Sequence, residues 1–344
     1  MSLEGSSRAA SIAHVVDHLP GVVLCAIIVW IATAVGNAVG LPATFLALAC
    51  GVAMASATPL SAPLFAPGAR FCSRELLRLG IALIGVRLSL SQAEALGWRT
   101  VALAVGGLVL TLVTGPAIGR AFGLSRQRSI LSAGAVGICG ASATMAVATI
   151  MPPSPERERD TVLTVATVTV LSTVAMVLYP IATRIAGLTD LQAGIFLGAS
   201  IHDVAQVVGA GAMISPEATT AATATKLIRV ACLAPAVMII GWVLTRSATA
   251  AIGRSRVTVP KPPLFLFGFV ALAVIANAGL LSPGLKGEVS DTATLCLVAA
   301  TAALGLRTSF SDLTRAGWRP IGAMSLQTVL LGAYAMVAVK LVGP

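Results

Sequence analysis

The sequence predicts an all-α integral membrane protein, and three observations lead to that fold class. Of the 344 residues, 57% are hydrophobic and only 10% are charged, and the mean hydropathy is +0.94. A soluble domain usually has about 25% charged residues, so this chain has too few to cover a soluble globule. Apolar runs of about 20 residues, the length that crosses a bilayer as a helix, recur along the whole chain.

Short segments that contain Arg, Pro or Gly separate these runs, and we expect about eleven transmembrane helices. The predicted spans are 20–39, 41–57, 71–90, 99–119, 128–151, 161–183, 190–214, 217–245, 264–282, 291–307 and 319–342. Residues 1–19 are expected to form a polar cytoplasmic leader, and 20–342 a single transmembrane transporter domain. No small-residue cleavage site in a polar setting follows the first run, so we expect it to be retained.

The positions of Lys and Arg predict the orientation, because cytoplasmic loops carry an excess of both. Placing the N-terminus inside and the C-terminus outside puts most of them in the cytoplasm, including those of the linker 246–263. The exterior then receives Arg87, Arg99, Arg157, Arg159, Lys286 and Lys340. The net charge of +10 therefore indicates topology. Nucleic acid is not an expected partner, since no basic run is interleaved with aromatic residues, which make up 4% of the chain.

Two segments of the chain match without gaps at a shift of 220 residues. Residues 82–99 read ALIGVRLSLSQAEALGWR, and residues 302–319 read AALGLRTSFSDLTRAGWR. Seven predicted helices separate them, so the second copy would be inverted in the membrane, as in transporters built from inverted-topology repeats. A plainer reading is that each motif ends a helix at the interface, where Arg snorkels and Trp anchors.

Two predicted spans are rich in glycine, at 134–143 and 198–211. Glycine inside a helix costs about 1 kcal/mol relative to Ala, so the clusters predict either close helix packing or interrupted helices. In transporters, interrupted helices point free N–H groups at an anionic ligand. Close packing of small residues explains the first segment equally well. It explains the second poorly, because His202, Asp203 and Gln206 lie there.

Ionisable groups within the spans are the candidate functional residues, because each costs about 2.5–3.5 kcal/mol to insert at mid-span. Lys226 and Arg229, three residues apart on one helix face, would help to neutralise a bound anion, while His202 or Asp203 carries a proton. Two plainer readings stay open: an ion pair between these cations and Asp203, and a hydrogen-bonded core histidine. The predicted substrate-binding residues are Gly137, Cys139, Gly140, Ser142, Ser200, Gln206, Lys226 and Arg229.

An enzyme is not expected from this sequence. The other two histidines, His14 and His18, lie in the leader, so no multi-histidine metal site can form in the membrane. The sequence has neither G-x-S-x-G nor H-E-x-x-H. The six cysteines lack C-x-x-C spacing and predict no disulfide framework or zinc site. We expect no cofactor and no metal.

Three motifs, in this order, resemble the YeiH-type sulfate exporter family of bacterial membrane proteins: ICGASA at 138–143, GASIHDVAQVVGAG at 198–211 and KLIRVACLAP at 226–235. The resemblance extends over about 20–342 and implies export of sulfate or a related anion across the bacterial inner membrane. Two positions depart from the family pattern. Gly137 replaces a Ser, which removes a hydroxyl, and Asp203 replaces a Glu, which keeps the charge but shortens its reach.

These observations together predict a multi-pass secondary transporter that exports a small inorganic anion, coupled to protons or another ion. The expected partners are the anion and membrane lipid, and a homodimer is left open. An ion-coupled importer of a small carboxylate or sulfonate is one alternative, and a passive anion channel is another.

Overall fold

The computed structural model describes residues 2–39, 41–57, 64–152, 154–247, 264–307 and 317–342. These residues are helical or lie in short connections, and no strand occurs among them. The helices form two compact units, Met1–Arg87 with Phe267–Ser309 and Leu88–Leu266 with Phe310–Pro344. Residues 248–263 of the predicted basic linker and residues 308–316 of the second repeat copy lie outside the described residues.

The first unit contains six helices among its described residues. They are α1 (Ser2–Val39), α2 (Ala43–Ala57), α3 (Ala66–Phe71), α4 (Leu77–Ile84), α13 (Leu264–Asn277) and α14 (Pro283–Arg307), with a π-helical turn at Cys72–Leu76 joining α3 to α4. Small residues allow close packing here. A Cβ atom on Gly51 of α2 would lie 2.9 Å from the Cα of Gly305 of α14.

The second unit contains the polar centre of the protein. Its helices are α5 (Leu90–Ala121), α6 (Arg126–Gly137), α7 (Ala141–Thr149), α8 (Pro155–Ile185), α9 (Asp190–Ser200), α10 (Val204–Ala212), α11 (Pro216–Ala231), α12 (Leu233–Ser247) and α15 (Trp318–Val342). Side-chain hydroxyls cap the N-terminal ends of several helices. Ser125, Ser154 and Ser215, for example, each accept a main-chain hydrogen bond in the first turn.

Six helical stretches among the described residues have the length and apolar composition to cross a membrane. They are Asp17–Val39, Leu96–Ala121, Pro155–Ile185, Pro216–Leu244, Pro283–Arg307 and Trp318–Leu341. The predicted count of eleven is therefore not confirmed. Several predicted spans consist of short helices instead, such as α2 with 15 residues and α13 with 14.

The predicted span 128–151 is a helical hairpin that enters and leaves on the same side, which we call hairpin 1 (α6 and α7). Leu131 near its start packs in one cluster with Val147 and Met151 near its end. Arg128 lies 3.6 Å from Asp160 in the first turns of α8. Both ends of the hairpin therefore lie beside the start of α8, and the prediction of a crossing here is wrong.

The predicted span 190–214 is a second such hairpin, hairpin 2 (α9 and α10). Gly194 of α9 and Gly211 of α10 both pack against Ala218 at the start of α11, so the two arms lie side by side. Arg184 near the end of α8 donates to the carbonyl of Met213, which follows α10. Hairpin 2 therefore enters from the end of α8 opposite to hairpin 1.

The two hairpins change the predicted orientation of one segment. Arg157 and Arg159 lie at the start of α8, the end that holds Arg128, so their predicted placement on the opposite side from Arg126 and Arg128 is wrong. Arg184 moves to the other side for the same reason. The first change adds two basic residues to the side of Arg126 and the second removes one, so the excess on that side increases, in line with the positive-inside rule.

Substituted-cysteine labelling in a cysteine-free background would test this topology. We expect Gln127→Cys and Glu156→Cys to react with a membrane-impermeant maleimide from the same side of the membrane, and Glu217→Cys from the opposite side. Reaction of Gln127→Cys and Glu156→Cys from opposite sides would show that residues 128–151 cross the membrane.

Candidate functional site

The tips of the two hairpins meet halfway along α8. At hairpin 2, the main-chain N–H of Asp203 donates to Ser172 Oγ at 3.1 Å. At hairpin 1, a Cβ atom on Gly140 would lie 3.8 Å from Val168 Cγ1 and also 3.8 Å from Asp203 Oδ2. Val168 and Ser172 lie near the midpoint of α8. Because the hairpins enter from opposite ends, their breaks come together deep within the unit.

Lys226 of α11 joins the two tips through main-chain oxygen atoms. Its side chain is fully buried, and Nζ donates to Ile138 O of hairpin 1 at 3.0 Å and to Ile201 O of hairpin 2 at 2.7 Å. Both carbonyls lie just beyond a helix C-terminus, where the last C=O groups lack partners within the helix. An ammonium group has three N–H donors, so one remains for another acceptor.

Arg229, one turn further along α11, binds the same two helix ends more extensively. It is also fully buried. The guanidinium donates to the carbonyls of Val136 and Gly137 in α6 and to those of Ala199 and Ile201 at the end of α9, at 2.5–3.4 Å. These five hydrogen bonds match its five N–H donors. Arg229 therefore has no donor left for a ligand and acts on one through its charge.

The N-terminal ends of α7 and α10 form the opposite pole of the same centre. Gly140 precedes α7 with φ +65°, a region that favours glycine, and no side chain within the described part of the chain caps this end. Asp203 is half-buried and caps α10, where its Oδ1 accepts from Ala205 N at 2.8 Å. Because Gly140 lies close to the Asp203 carboxylate, both helix N-termini point into one region.

The C-terminal ends of α6 and α9 and the N-terminal ends of α7 and α10 differ in their charge balance. A helix C-terminus carries about −0.5 charge and an N-terminus about +0.5, so the ends of α6 and α9 together carry about −1. The charges of Lys226 and Arg229 exceed this. The two N-termini together carry about +1, which an ionised Asp203 balances. Neutralising Asp203 would leave the N-terminal pole with an excess of positive charge.

The other predicted residues lie around the tips with different environments. Cys139 and Ser200 are buried, and Ser200 Oγ donates to Phe196 O of its own helix at 2.6 Å. Ser142, in the first turn of α7, is exposed. Gln206 is fully buried; its Nε2 donates to Thr173 Oγ1 at 3.4 Å, and its Oε1 accepts no hydrogen bond from the described residues.

The buried imidazole of His202 connects the tip of hairpin 2 to α15. Its Nε2 lies 2.8 Å from Thr328 Oγ1. Sequence reasoning missed Ser172, Thr173 and Thr328, which hold the tip of hairpin 2 from α8 and α15. No signal marked them, because Ser and Thr commonly bond to the preceding turn of a membrane helix.

A sequence model of a family described as conserved hypothetical protein 698 matches residues 20–324 of the chain. The chain belongs to this family. Its members include curated relatives named UPF0324 membrane proteins, and the family resemblance indicated by the three motifs is confirmed. The two glycine-containing hairpin tips and the cation-bearing helix α11 all lie within the matched range.

The relatives match nearly the full length of the chain. UPF0324 membrane protein TauZ of Paracoccus pantotrophus is 39% identical over 95% of this chain and 96% of its own length. The relative CT0845 of Chlorobaculum tepidum is 36% identical over 94% and 89%, and RB0971 of Rhizobium meliloti is 37% identical over 94% and 93%. No solved structure matches the chain. Together with the six apolar helices, these similarities make this a multi-pass membrane protein.

We expect Arg229→Met to destabilise the protein by about 3–5 kcal/mol, the range for removing one partner of a buried charged interaction. The carbonyls at both helix ends would lose their donors. Arg229→Lys should be intermediate, because it restores the charge with fewer donors. Thermal unfolding in detergent measures the effect, and Arg99→Met, an exposed position in α5, is the control. Equal unfolding temperatures for Arg229→Met and the control would contradict this role.

Proposed function

We propose that this family member is a secondary transporter of a small anion, and that the anion binds at the N-terminal pole formed by Gly140 and Asp203. One observation carries the proposal: two helix N-termini, with Asp203 as their one acidic group among the described residues, converge beside two fully buried cations. Free main-chain N–H groups and the positive end of the helix dipole bind anions in many proteins. Their position at the middle of α8 matches the mid-membrane binding sites of transporters.

The donors that could contact an anion lie on α7. The first N–H groups of α7 have no cap from the side chains that the structure describes, and Ser142 adds an exposed hydroxyl. Lys226 retains one ammonium donor beyond its two hydrogen bonds to carbonyls. In this proposal, Arg229 and Lys226 hold the hairpin tips and raise the local potential, and the α7 N-terminus contacts the anion.

An inverted repeat is also part of the proposal, and paired features at a shift of 220 residues support it. Gly97 and Gly317, each followed by Trp in the repeat motif, both have positive φ, +43° and +81°. Arg87 donates to Ser290 Oγ of α14, and its counterpart Arg307 donates to Ser73 Oγ before α4. Each arginine thus contacts the part of the chain that matches the other arginine's copy, which supports an inverted pair of repeats. The repeat also relates α2 to α13 and the later part of α5 to α15.

Asp203 is the proposed coupling group. While ionised, its carboxylate balances the positive pole and repels an incoming anion. Once neutralised by a proton, it leaves about one unit of positive charge for the anion. Anion binding and protonation would then favour each other, as linkage requires. His202 is less suited to this role, because it is fully buried near two cations, so a third positive charge there would be unfavourable.

This coupling bears on the direction of transport. A proton and an anion that bind together also cross together, so an inward proton gradient would drive uptake of the anion. The position of Asp203 at the proposed anion site therefore favours an ion-coupled importer over an exporter. Export of a sulfate-like anion, the function implied by the family resemblance, would require a different coupling ion or an opposing anion gradient.

Flux into proteoliposomes tests the proposed transport. We expect saturable uptake of at least one of radiolabelled sulfate, sulfite, thiosulfate and bicarbonate, a change of rate when a pH gradient is imposed, and exchange against the same anion inside. Vesicles that contain Arg229→Met protein, reconstituted in equal folded amounts, are the control. Flux that fails to saturate and shows no exchange would indicate a channel. No flux of any of these four anions would contradict the inorganic substrate class.

Asp203→Asn separates the two candidate coupling groups. Asparagine is isosteric and an equally good N-cap, so α10 should remain intact while the charge is lost. We expect saturable anion flux to persist without its dependence on the pH gradient. His202→Gln, which keeps a hydrogen-bonding side chain opposite Thr328, should retain that dependence, and so should the matched carboxylate control Asp190→Asn at the exposed start of α9. The reverse pattern, with pH dependence lost in His202→Gln and kept in Asp203→Asn, would assign the proton to His202.

A further inference from the structure

A cavity of about 320 Å³ lies between α5, α6 and α12 of the second unit. Most of its lining is apolar, with Leu112 and Pro116 from α5, Ile130 from α6, and Ile240 and Leu244 from α12. It is open along one side, where Val113 is 70% exposed. An open apolar groove on a membrane protein is a surface that lipid tails can occupy.

One end of the groove differs from the rest because two arginines line it. Arg120 is in the last turn of α5, and Arg126 is the first residue of α6, so the α5–α6 turn brings both to the same end. Both are exposed, and neither side chain has a hydrogen bond or an ion pair among the described residues. Their neighbour Arg128, by contrast, lies 3.6 Å from Asp160.

The N-terminus of α6 adds to the positive potential at this end. α6 has 12 residues, and its first N–H groups together with the helix dipole favour an anion there. The groove thus combines a positively charged end with an apolar length of about 12 Å between Leu112 and Arg120, at 1.5 Å per helical residue. A free phosphate would use only the charged end, whereas a phospholipid matches both parts.

We propose that this groove binds one anionic phospholipid, with its phosphate between Arg120 and Arg126 and an acyl chain along Pro116, Ile130 and Ile240. The basic excess on this side of the protein places the lipid in the cytoplasmic leaflet, since cytoplasmic loops are the ones enriched in Arg and Lys. That leaflet is also the one that carries a negative surface potential. The bound chain would cover the outer face of α6, the helix whose C-terminal carbonyls bind Arg229.

Native mass spectrometry of the detergent-solubilised protein tests this site. The protein is titrated with phosphatidylglycerol and with phosphatidylcholine of the same acyl chains. We expect the wild type to retain phosphatidylglycerol preferentially. In the Arg120→Gln/Arg126→Gln double variant this preference should fall about thirtyfold, the effect of two basic groups near an anionic lipid. Arg99→Gln, an exposed arginine at the other end of the α5 span, should bind like the wild type.

Two further experiments distinguish the contribution of the lipid headgroup from that of the acyl chain. Ile240→Trp should fill the groove and reduce retention of phosphatidylglycerol, while leaving the two arginines in place. Glycerol 3-phosphate, which has the charge without the chains, should not displace the lipid. Equal lipid preference in the double variant and in Arg99→Gln would overturn the proposal, as would displacement by glycerol 3-phosphate, which would indicate a site for free anions. Unfolding temperatures matched to the wild type establish that each variant is folded.

Discussion

Two buried cations on one helix determine the arrangement of the second unit. Two helices that stop in the middle of a membrane leave carbonyl groups with no water to bind, and each unsatisfied group costs several kcal/mol there. Lys226 and Arg229 supply donors to the ends of both α6 and α9. The hairpins can therefore end at the same depth, from opposite sides, only because α11 presents these charges between them. The position of the N-terminal pole follows from that constraint.

The same arrangement places the fixed charges of Lys226 and Arg229 apart from the carboxylate of Asp203, whose charge depends on protonation. At the C-terminal ends of α6 and α9, the side chains of Lys226 and Arg229 donate hydrogen bonds to main-chain atoms of both hairpins. The positive charge at these ends is therefore part of the fold. The N-terminal pole contains a half-buried carboxylate that caps one helix and faces the start of another. Under the proposed function, protonation of Asp203 would change the affinity of the centre for an anion and leave in place the contacts that hold the hairpins together.

Much of this site was predictable from the sequence, and the reasons for the failures are physical. Glycine clusters and mid-span charges marked Gly140, Asp203, Lys226 and Arg229, because such residues are costly in a membrane unless something requires them. Hydropathy alone could not show that 128–151 and 190–214 turn back, since a hairpin of two short apolar helices has the same composition as one crossing. The decisive contact, Arg128 with Asp160, joins residues that the predicted topology placed on opposite sides.

The depth of the hairpin tips has a consequence for the electrical behaviour of the protein. Ser172 lies about 20–25 Å along α8 from either end, at 1.5 Å per residue, so an ion at the tips has crossed roughly half of the membrane. One charge crossing the whole membrane changes in energy by about 2.3 kcal/mol per 100 mV, and half the path gives about 1 kcal/mol. A monovalent anion that enters with one proton carries no net charge through this field, whereas a divalent anion does. Membrane voltage would therefore change the binding of a divalent anion and leave the binding of a monovalent anion unaffected.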